Sequence, residues 1–368
     1  MAIRPMKLKP AEIVRLLNST DLGTVVSPAQ VHRHFSMAGY RIASAEDGRF
    51  LNLYRYIAWL VDRKNRPEIA APSLGGAGYE AHRESAAQRQ SDLSLSGRDI
   101  GELPPVADPA RREACRYDFR LFCETYFPEV YALEWSEDHL RAIAKIQQAV
   151  LKGGLFALAM SRGSGKSSLT ETAAIWAMLY GHREFIVIVG ASESAALEIL
   201  DSIKTELEVN EHIAADFPEA VYPIQKLDGI ANRCAGQLYK GERTRIVWTA
   251  NEIVLPTIAG ALSSGILVRV AGITGRIRGM KYKKPDGRTI RPEFVIVDDP
   301  QTTESADSIE QTRKRVRVLA GDILGLAGPG RKIAGVMPCT VIRPGDMAEQ
   351  ILDKSKHPEW NGERCKMR

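Results

Sequence analysis

A glycine-rich segment at residues 161–168, SRGSGKSS, contains residue types that bind polyphosphate. Glycines allow a tight loop whose backbone N–H groups converge on one point, and a helix beginning there adds the positive end of its dipole. In a phosphate-binding loop, the next lysine reaches the β- and γ-phosphates and the following hydroxyl ligates Mg²⁺. Here those residues are Lys166 and Ser167.

The loop departs from the usual pattern at one position, because Met160 stands where the first glycine is expected. A glycine-rich turn before an ordinary helix is therefore the alternative interpretation. If the loop binds a nucleotide, the predicted contacts are Ser161, Gly163, Ser164, Gly165, Lys166, Ser167 and Ser168.

Two consecutive carboxylates, Asp298 and Asp299, follow the apolar run FVIV at residues 294–297. A buried strand there would deliver both side chains to its carboxyl end, where open α/β sheets bind ligands. Asp298 is then placed to hold Mg²⁺ through its water shell, and Asp299 to orient an attacking water. Alternatively, two aspartates before Pro300 cap a strand and open a turn.

The elements that must position these residues can be read from apolar spacing. LFALAM, at residues 155–160, suits a buried parallel strand, and residues 166–180 have helical apolar spacing up to Gly181. From residue 111 onward, strand-length apolar runs alternate with amphipathic stretches. This alternation predicts an α/β domain with a mainly parallel sheet over residues 111–350, and a tail over residues 351–368.

Composition narrows the class of protein. The 368 residues are 44% hydrophobic, enough to bury a sizeable core, and the net charge of +5 is too mild to indicate a polyanionic partner. Apolar runs fall short of the ~20 residues that span a bilayer, and the start MAIRPMKLKPAEIV lacks a signal-peptide core. Five scattered cysteines lack metal-site spacing, so we expect reduced thiols in a cytosol and no membrane association.

The first 64 residues form a compact basic segment. We expect a short helix, PAEIVRLLN, and then a second helix with Ser27 as N-cap, Pro28 in its first turn and Gly39 as its stop. Two strands around an EDGR turn and a helix, YRYIAWLVDRK, are expected to follow. Residues 65–110, rich in Ala, Gly, Ser, Arg and Pro, are predicted to be a flexible linker.

Taken together, several segments resemble the large terminase subunit of tailed bacteriophages over roughly residues 118–367. The segments are FCETYFP, SRGSGKSS, EFIVIVGASESAALEILDSIKTELEVN, DFPEAVYPI, SSGILVRVAGITGRIRGM, RPEFVIVDDPQTTESADS and IAGVMPCTVIRPGDMAEQIL. The resemblance implies an additional-strand P-loop NTPase that uses ATP and Mg²⁺ to move double-stranded DNA into a procapsid. It also implies a homo-oligomeric ring, a portal and a small terminase subunit as partners, and the cytoplasm of an infected bacterial host.

The resemblance assigns further roles. Arg162 is expected to touch the γ-phosphate, and Thr340 to sense hydrolysis, although both are also compatible with plain loop chemistry. Arg278 looks like an arginine finger for a neighbouring subunit's nucleotide, with Arg276 an equal candidate and a phosphate-backbone contact the alternative. His139 occupies a position often on the adenine side, or is a helix-face residue.

Two departures from the family pattern affect the predictions. The family commonly follows the first acidic residue with Glu, whereas Asp299 is one methylene shorter, so Glu304 or Asp307 could assist it. Large terminases also continue into a nuclease domain with clustered carboxylates. The 28 residues that follow Thr340 in this sequence are too few to build it, so we expect no nuclease activity.

The N-terminal segment resembles the winged helix-turn-helix of small terminase subunits. The resemblance implies that the second helix enters the major groove and that a wing contacts DNA. The implied DNA-binding residues are Gln30, Arg33, His34, Arg41 and Arg49, with phosphate charge from Lys64. A small protein-docking domain with a solvated basic face is the alternative.

These observations predict a DNA-packaging ATPase with an N-terminal DNA-binding module. Another nucleic-acid-driven P-loop ATPase, such as a helicase, is the second hypothesis, although no further helicase motif is apparent. A non-catalytic nucleotide-binding or DNA-docking protein is the third, and it gains weight if Asp299 is too short to activate water.

Overall fold

The computed structural model describes residues 4–21, 23–65 and 98–364, without the side chains of residues 63–65. The chain divides into two compact units, residues 1–88 and 89–368, and each is described by itself. Most of the predicted linker, residues 66–97, and the side chain of Lys64 lie outside the described part. None of the described helices is long and apolar enough to cross a bilayer.

The second unit is built on an eight-stranded sheet in the order β12-β1-β11-β10-β2-β7-β6-β5. Strands from β12 to β7 pair in parallel, and β6 and β5 add antiparallel pairs at one edge. The predicted α/β class with a mainly parallel sheet is therefore confirmed. The sheet strands are β1 Leu155–Ala159, β2 Phe185–Gly190, β5 Val247–Trp248, β6 Glu252–Val254, β7 Leu267–Gly272, β10 Phe294–Asp298, β11 Ala334–Cys339 and β12 Glu363–Arg364. Two small antiparallel ribbons lie outside it, β3 Leu238–Tyr239 with β4 Glu242–Arg243, and β8 Tyr282–Lys283 with β9 Thr289–Ile290.

The central strands are continuous apolar runs because both faces of the sheet are covered. Alternate residues of one strand enter two different cores: Ile186 and Ile188 pack with the helices before and after β1, while Val187 and Val189 pack on the opposite face. The helices of this unit are α4 Pro109–Ala114, α5 Phe119–Tyr126, α6 Glu137–Lys152, α7 Lys166–Leu179, α8 Glu193–Val209, α9 Glu211–Asp216, α10 Pro218–Gln225, α11 Thr303–Asp307, α12 Ile309–Arg317 and α13 Met347–Leu352. A π-helical segment, Val318–Ile323, continues directly from α12.

The segment predicted as a tail, residues 351–368, is described up to residue 364. Helix α13 ends at Leu352, because the backbone of Asp353 is extended (ψ 100°). The carboxylate of Asp353 accepts hydrogen bonds from the backbone N–H and the hydroxyl of Ser355. A 3₁₀ turn then buries Trp360 completely, and β12 pairs in parallel with β1. Residues of the predicted tail therefore add a strand beside β1.

The first unit contains α1 Pro10–Asn18, α2 Pro28–Ala38 and α3 Leu53–Asn65 around a small core. Helix α2 has the predicted boundaries: the Ser27 side chain accepts a hydrogen bond from Gln30 N, Pro28 lies in the first turn, and Gly39 (φ 54°) follows the last residue. The start of α1 at Pro10 is also as predicted.

The two strands expected around the EDGR turn do not form, and that prediction is wrong. In the described part of this unit, pairing is reduced to the isolated bridges Leu8–Leu51 and Ala43–Leu51. Side chains take part of the hydrogen bonding that a hairpin would use, because Ser44 Oγ accepts from Glu46 N and Asp47 Oδ1 from Arg49 N. The described part of this unit contains three helices and gives no evidence for a helix-turn-helix fold.

Candidate nucleotide site

The glycine-rich loop lies between β1 and α7, at the carboxyl end of the parallel sheet. Gly163 (φ 75°) and Gly165 (φ 72°) adopt the left-handed conformation that favours glycine, and Gly165 directly precedes α7. No neighbour lies within 4 Å of a Cβ built at either glycine, so backbone conformation rather than crowding requires glycine there. The loop therefore opens on the positive end of a 14-residue helix, which favours an anion.

Lys166 is the first residue of α7, and its side chain is nearly buried within the site (7% exposed). Its Nζ donates to Ser161 O (3.3 Å) and to Thr340 Oγ1 (3.0 Å), and lies 3.7 Å from Asp299 Oδ2. Three segments far apart in the sequence thus converge on one ammonium group. The structure brings Lys166, Asp299 and Thr340 into contact with one another.

Asp298 ends β10, and its two carboxylate oxygens have different surroundings. Oδ2 accepts from Ser167 Oγ (2.9 Å), whereas the buried Oδ1 has no hydrogen-bond partner. Burial raises the pKa of Asp298; the hydrogen bond from Ser167 opposes this rise, the charge of Asp299 adds to it and Lys166 opposes it.

A hydrated divalent cation fits this pair of groups. Mg²⁺ prefers oxygen ligands, keeps several waters and is commonly held by one or two protein side chains together with substrate phosphates. Ser167 Oγ and the unpartnered Asp298 Oδ1 supply this kind of donor set, and a cation would satisfy the orphaned oxygen. No group of three His, Cys, Asp or Glu side chains suited to a metal occurs in the described residues, so the phosphates would complete the site.

Asp299 has an unusual backbone conformation for a non-glycine residue, with φ 35°. Its N–H donates to Pro338 O (3.2 Å), and its carboxylate accepts from Thr340 N (3.1 Å) and Thr340 Oγ1 (3.3 Å). Such conformations persist where surrounding contacts determine them, and they concentrate at functional sites. The end of β11 therefore fixes both the backbone and the side chain of Asp299.

His139, near the start of α6, contacts the loop directly. Its Nε2 lies 2.9 Å from Ser164 O and its Nδ1 lies 2.8 Å from Ser136 Oγ. Because a carbonyl oxygen only accepts, Nε2 carries the proton and Nδ1 accepts from the serine hydroxyl. His139 thus holds the backbone of the loop from outside, beside the predicted nucleotide.

The remaining predicted arginines lie elsewhere. Arg162 is exposed in the loop and Arg276 is exposed after β7. Arg278 is 75% exposed and pairs with Asp322 of the π-helical segment, which raises the pKa of its guanidinium. Within the described residues, Arg278 forms no hydrogen bond or ion pair with the residues around Lys166.

The two acidic residues proposed to assist Asp299 are also separate from it. Glu304 is exposed in the first turn of α11, and Asp307 at the end of that helix pairs with Arg343 (2.7 Å). Among the described residues, Asp299 is the carboxylate that contacts both Lys166 and Thr340.

The segment 298–300, here called the acidic turn, is supported by three residues that the sequence analysis missed. Gln301 is buried, and its Nε2 donates to Thr340 O and to Asp346 Oδ2, both at 2.8 Å. Asp346 also caps α13 through Glu349 N. Arg315, buried in α12, donates from Nε to Pro300 O (3.2 Å). The position of Gln301 directly after the DDP turn was the one available signal.

The side chains predicted to bind DNA in the first unit differ in their exposure to solvent and in their bonding. Arg33 and Arg41 are exposed, and Arg49 is exposed but paired with Asp47. Gln30 Oε1 accepts from Ser27 N at the start of α2. His34 is half-buried, with Nδ1 2.8 Å from Tyr56 Oη and its ring against Trp59. Arg33 and Arg41 are therefore the side chains most available for a partner.

Comparison with known proteins adds no assignment. No protein-family model matches the chain, and a search of curated proteins finds no match. The site must therefore be interpreted from its own geometry.

Proposed function

We propose that this chain is a Mg²⁺-dependent ATPase of the additional-strand P-loop type that drives double-stranded DNA into a viral procapsid. The observation that carries the proposal is the convergence of Lys166, Ser167, Asp298, Asp299 and Thr340 at one edge of a parallel sheet. The strand order supports the same class, because β11 lies between the loop strand β1 and the acidic strand β10. An extra strand in that place is the feature that gives the class its name.

The residues have distinct proposed tasks. Lys166 would neutralise the β- and γ-phosphates, and Ser167 and Asp298 would hold a Mg²⁺ ion that offsets phosphate charge. Asp299 accepts a proton from, or orients, the attacking water, and Thr340 fixes its carboxylate beside Lys166. Arg162 and an arginine at position 278 or 276 are the candidates for charge stabilisation at the γ-phosphate.

Transport of DNA is the finer part of the proposal. It is supported by the resemblance to large terminases and by the exposed cations of the first unit, whether or not that unit is a winged helix-turn-helix. A ring of copies, a portal, a small terminase subunit and the host cytoplasm belong to the same proposal.

One observation favours a second candidate, a nucleotide-binding protein without turnover. Both carboxylate oxygens of Asp299 already accept hydrogen bonds from Thr340, which competes with binding of a water.

The deciding experiment measures phosphate release from ATP by the purified chain in Mg²⁺, with and without linear duplex DNA. We expect turnover that rises with DNA, and rises further when empty procapsids are added. Lys166→Ala and Asp298→Asn should each abolish turnover, because one removes the charge on the phosphates and the other weakens the cation site.

Lys152→Ala, which removes an exposed lysine at the end of α6, is the matched control and should retain most of the rate. ATP binding without turnover in the unmodified chain, under all three conditions, would establish the second candidate instead. Wild-type rates in Lys166→Ala would contradict the site assignment itself.

A further inference from the structure

Helix α12, with the sequence IEQTRKRVR, has an outer face of three exposed cations. The side chains of Arg313, Lys314 and Arg317 form no hydrogen bond or ion pair within the described part of the chain. At 1.5 Å of rise per residue, they occupy about 6 Å of helix axis. This spacing presents a concentrated positive charge to solvent.

Several other exposed arginines of this unit have carboxylate partners, whereas Arg162, Arg243 and Arg276 form no ion pair within the described residues. Arg278 pairs with Asp322, Arg288 with Asp286 and Arg343 with Asp307. Glu310, one turn before the α12 cations, is exposed and forms no ion pair in the described residues. The face therefore keeps a net positive charge that is available to a partner outside the chain.

The inner face of the same helix carries a buried cation. Arg315 is 7% exposed, and burial lowers the pKa of its guanidinium. Its Nε donates to Pro300 O (3.2 Å) and Nη1 to Gln311 Oε1 (3.1 Å), without an ion pair among the described residues. A buried cation is usually paired with a carboxylate, so it is unexpected that this guanidinium donates to a backbone carbonyl.

That carbonyl belongs to the acidic turn. Pro300 directly follows Asp299, whose φ of 35° depends on contacts from neighbouring segments. Gln301, the next residue, ties the turn to Thr340 O. The π-helical segment that follows α12 is of a kind that is rare and often found at functional sites.

We propose that the outer face of α12 binds the phosphates of duplex DNA and that Arg315 transmits this contact to the acidic turn. The proposal rests on the proposed function, because it deepens the assignment of DNA as the partner. Duplex DNA fits because its charge density matches three cations within one helical turn. A shift of about 0.5 Å in α12 would lengthen the Arg315–Pro300 contact beyond hydrogen-bonding range, so turnover is sensitive to small displacements.

The first test compares DNA-stimulated ATP turnover in the full chain. The variant Arg313→Gln/Lys314→Gln/Arg317→Gln should keep the basal rate but need at least about tenfold more 30-base-pair duplex for half-maximal stimulation at 0.15 M salt. The salt dependence of that concentration should fall by up to about 2.7 in log–log slope, about 0.9 for each phosphate that the variant no longer neutralises. The control, Lys152→Gln/Arg243→Gln/Lys354→Gln, removes three exposed cations elsewhere and should behave as the unmodified chain.

The second test isolates the transmitting residue. Arg315→Met should bind duplex DNA normally but lose most of the stimulation, and Arg315→Lys, which keeps one donor, should recover part of it. If the methionine variant does not fold, the lysine variant alone decides. Normal stimulation in every folded Arg315 variant overturns the transmission step.

The third test separates this inference from the proposed function. Amide hydrogen exchange of the unmodified chain should slow in α12 when 30-base-pair duplex is added, and polyglutamate should not reproduce the effect. Protection without any ATP turnover leaves the DNA surface standing and removes the proposed function. DNA-stimulated turnover without protection of α12, or equal protection by polyglutamate, overturns the assignment of this surface to DNA.

Discussion

Replacement of Thr340 by valine tests whether the end of β11 couples Lys166 to Asp299. Valine keeps the branched shape but lacks the hydroxyl that accepts from Lys166 Nζ (3.0 Å) and donates to Asp299 Oδ2 (3.3 Å). A hydrogen bond to a charged group contributes about 1.5–3 kcal/mol. Lys166 keeps its bond to Ser161 O, and Asp299 keeps its bond from the backbone N–H of residue 340.

Because each ion keeps a partner, we take the lower half of that range and expect a loss of about 1.5–2.2 kcal/mol in the transition state, which is about 10–40-fold in kcat. KM should change little, since loop N–H groups bind the phosphates. Steady-state phosphate release at saturating Mg²⁺ measures both constants. Thr340→Ser restores the hydroxyl and should recover most of the rate. A valine variant with at least half of the wild-type kcat, or a serine variant as slow as valine, would refute this reasoning.

The geometry supports three further predictions. Asp299→Asn should fold, since asparagine tolerates a positive φ, and should bind a fluorescent ATP analogue normally while kcat falls at least about 100-fold; a normal kcat would remove Asp299 from the chemistry. Arg278→Ala and Lys166→Ala should each be inactive, but mixing them should restore part of the turnover if the arginine acts across subunits, and no recovery under proven assembly would point to another arginine. Burial alone would raise the pKa of Asp216, yet hydrogen bonds, of which the one from Arg111 is the largest, lower this pKa below its usual value. The ionised carboxylate therefore stabilises the fold above about pH 3.8, and this stabilisation is lost as the pH falls further. Asp216→Asn should therefore lower the free energy of unfolding by about 3 kcal/mol at pH 7, and denaturant titrations should find this difference shrinking below pH 3.8; a difference independent of pH would contradict the ion-pair explanation.

The local part of the fold was predictable because its signals are local. Continuous apolar runs indicated β1 and β10, and glycines before Lys166 indicated the loop at the start of α7. Asp298 and Asp299 were placed correctly because a strand delivers its last residues to one edge of the sheet. The boundaries of α2 could also be predicted, from Ser27 as N-cap and Gly39 after its last residue.

Contacts between distant segments could not be predicted in the same way. Gln301 gains its partners from a loop about 40 residues later, and Arg315 reaches the carbonyl of Pro300 only after α12 folds back. β12 has two residues, too few for any periodic pattern. The two strands expected around the EDGR turn do not form for a different reason. The side chains of Ser44 and Asp47 accept hydrogen bonds from the backbone N–H groups of Glu46 and Arg49 in that turn.

The position of β1 within the sheet has a consequence for how the protein is made. Both neighbours of β1 are strands from the far end of the chain, β11 and β12. During synthesis, the 174 residues numbered 160–333 must follow β1 before its first partner strand exists. At about 5–20 residues per second this takes about 9–35 s. The apolar strand LFALA is therefore synthesised long before its partner strands, and we expect chaperones to bind it in that interval. The candidate nucleotide site, which needs both β1 and β11, should be one of the last features to form.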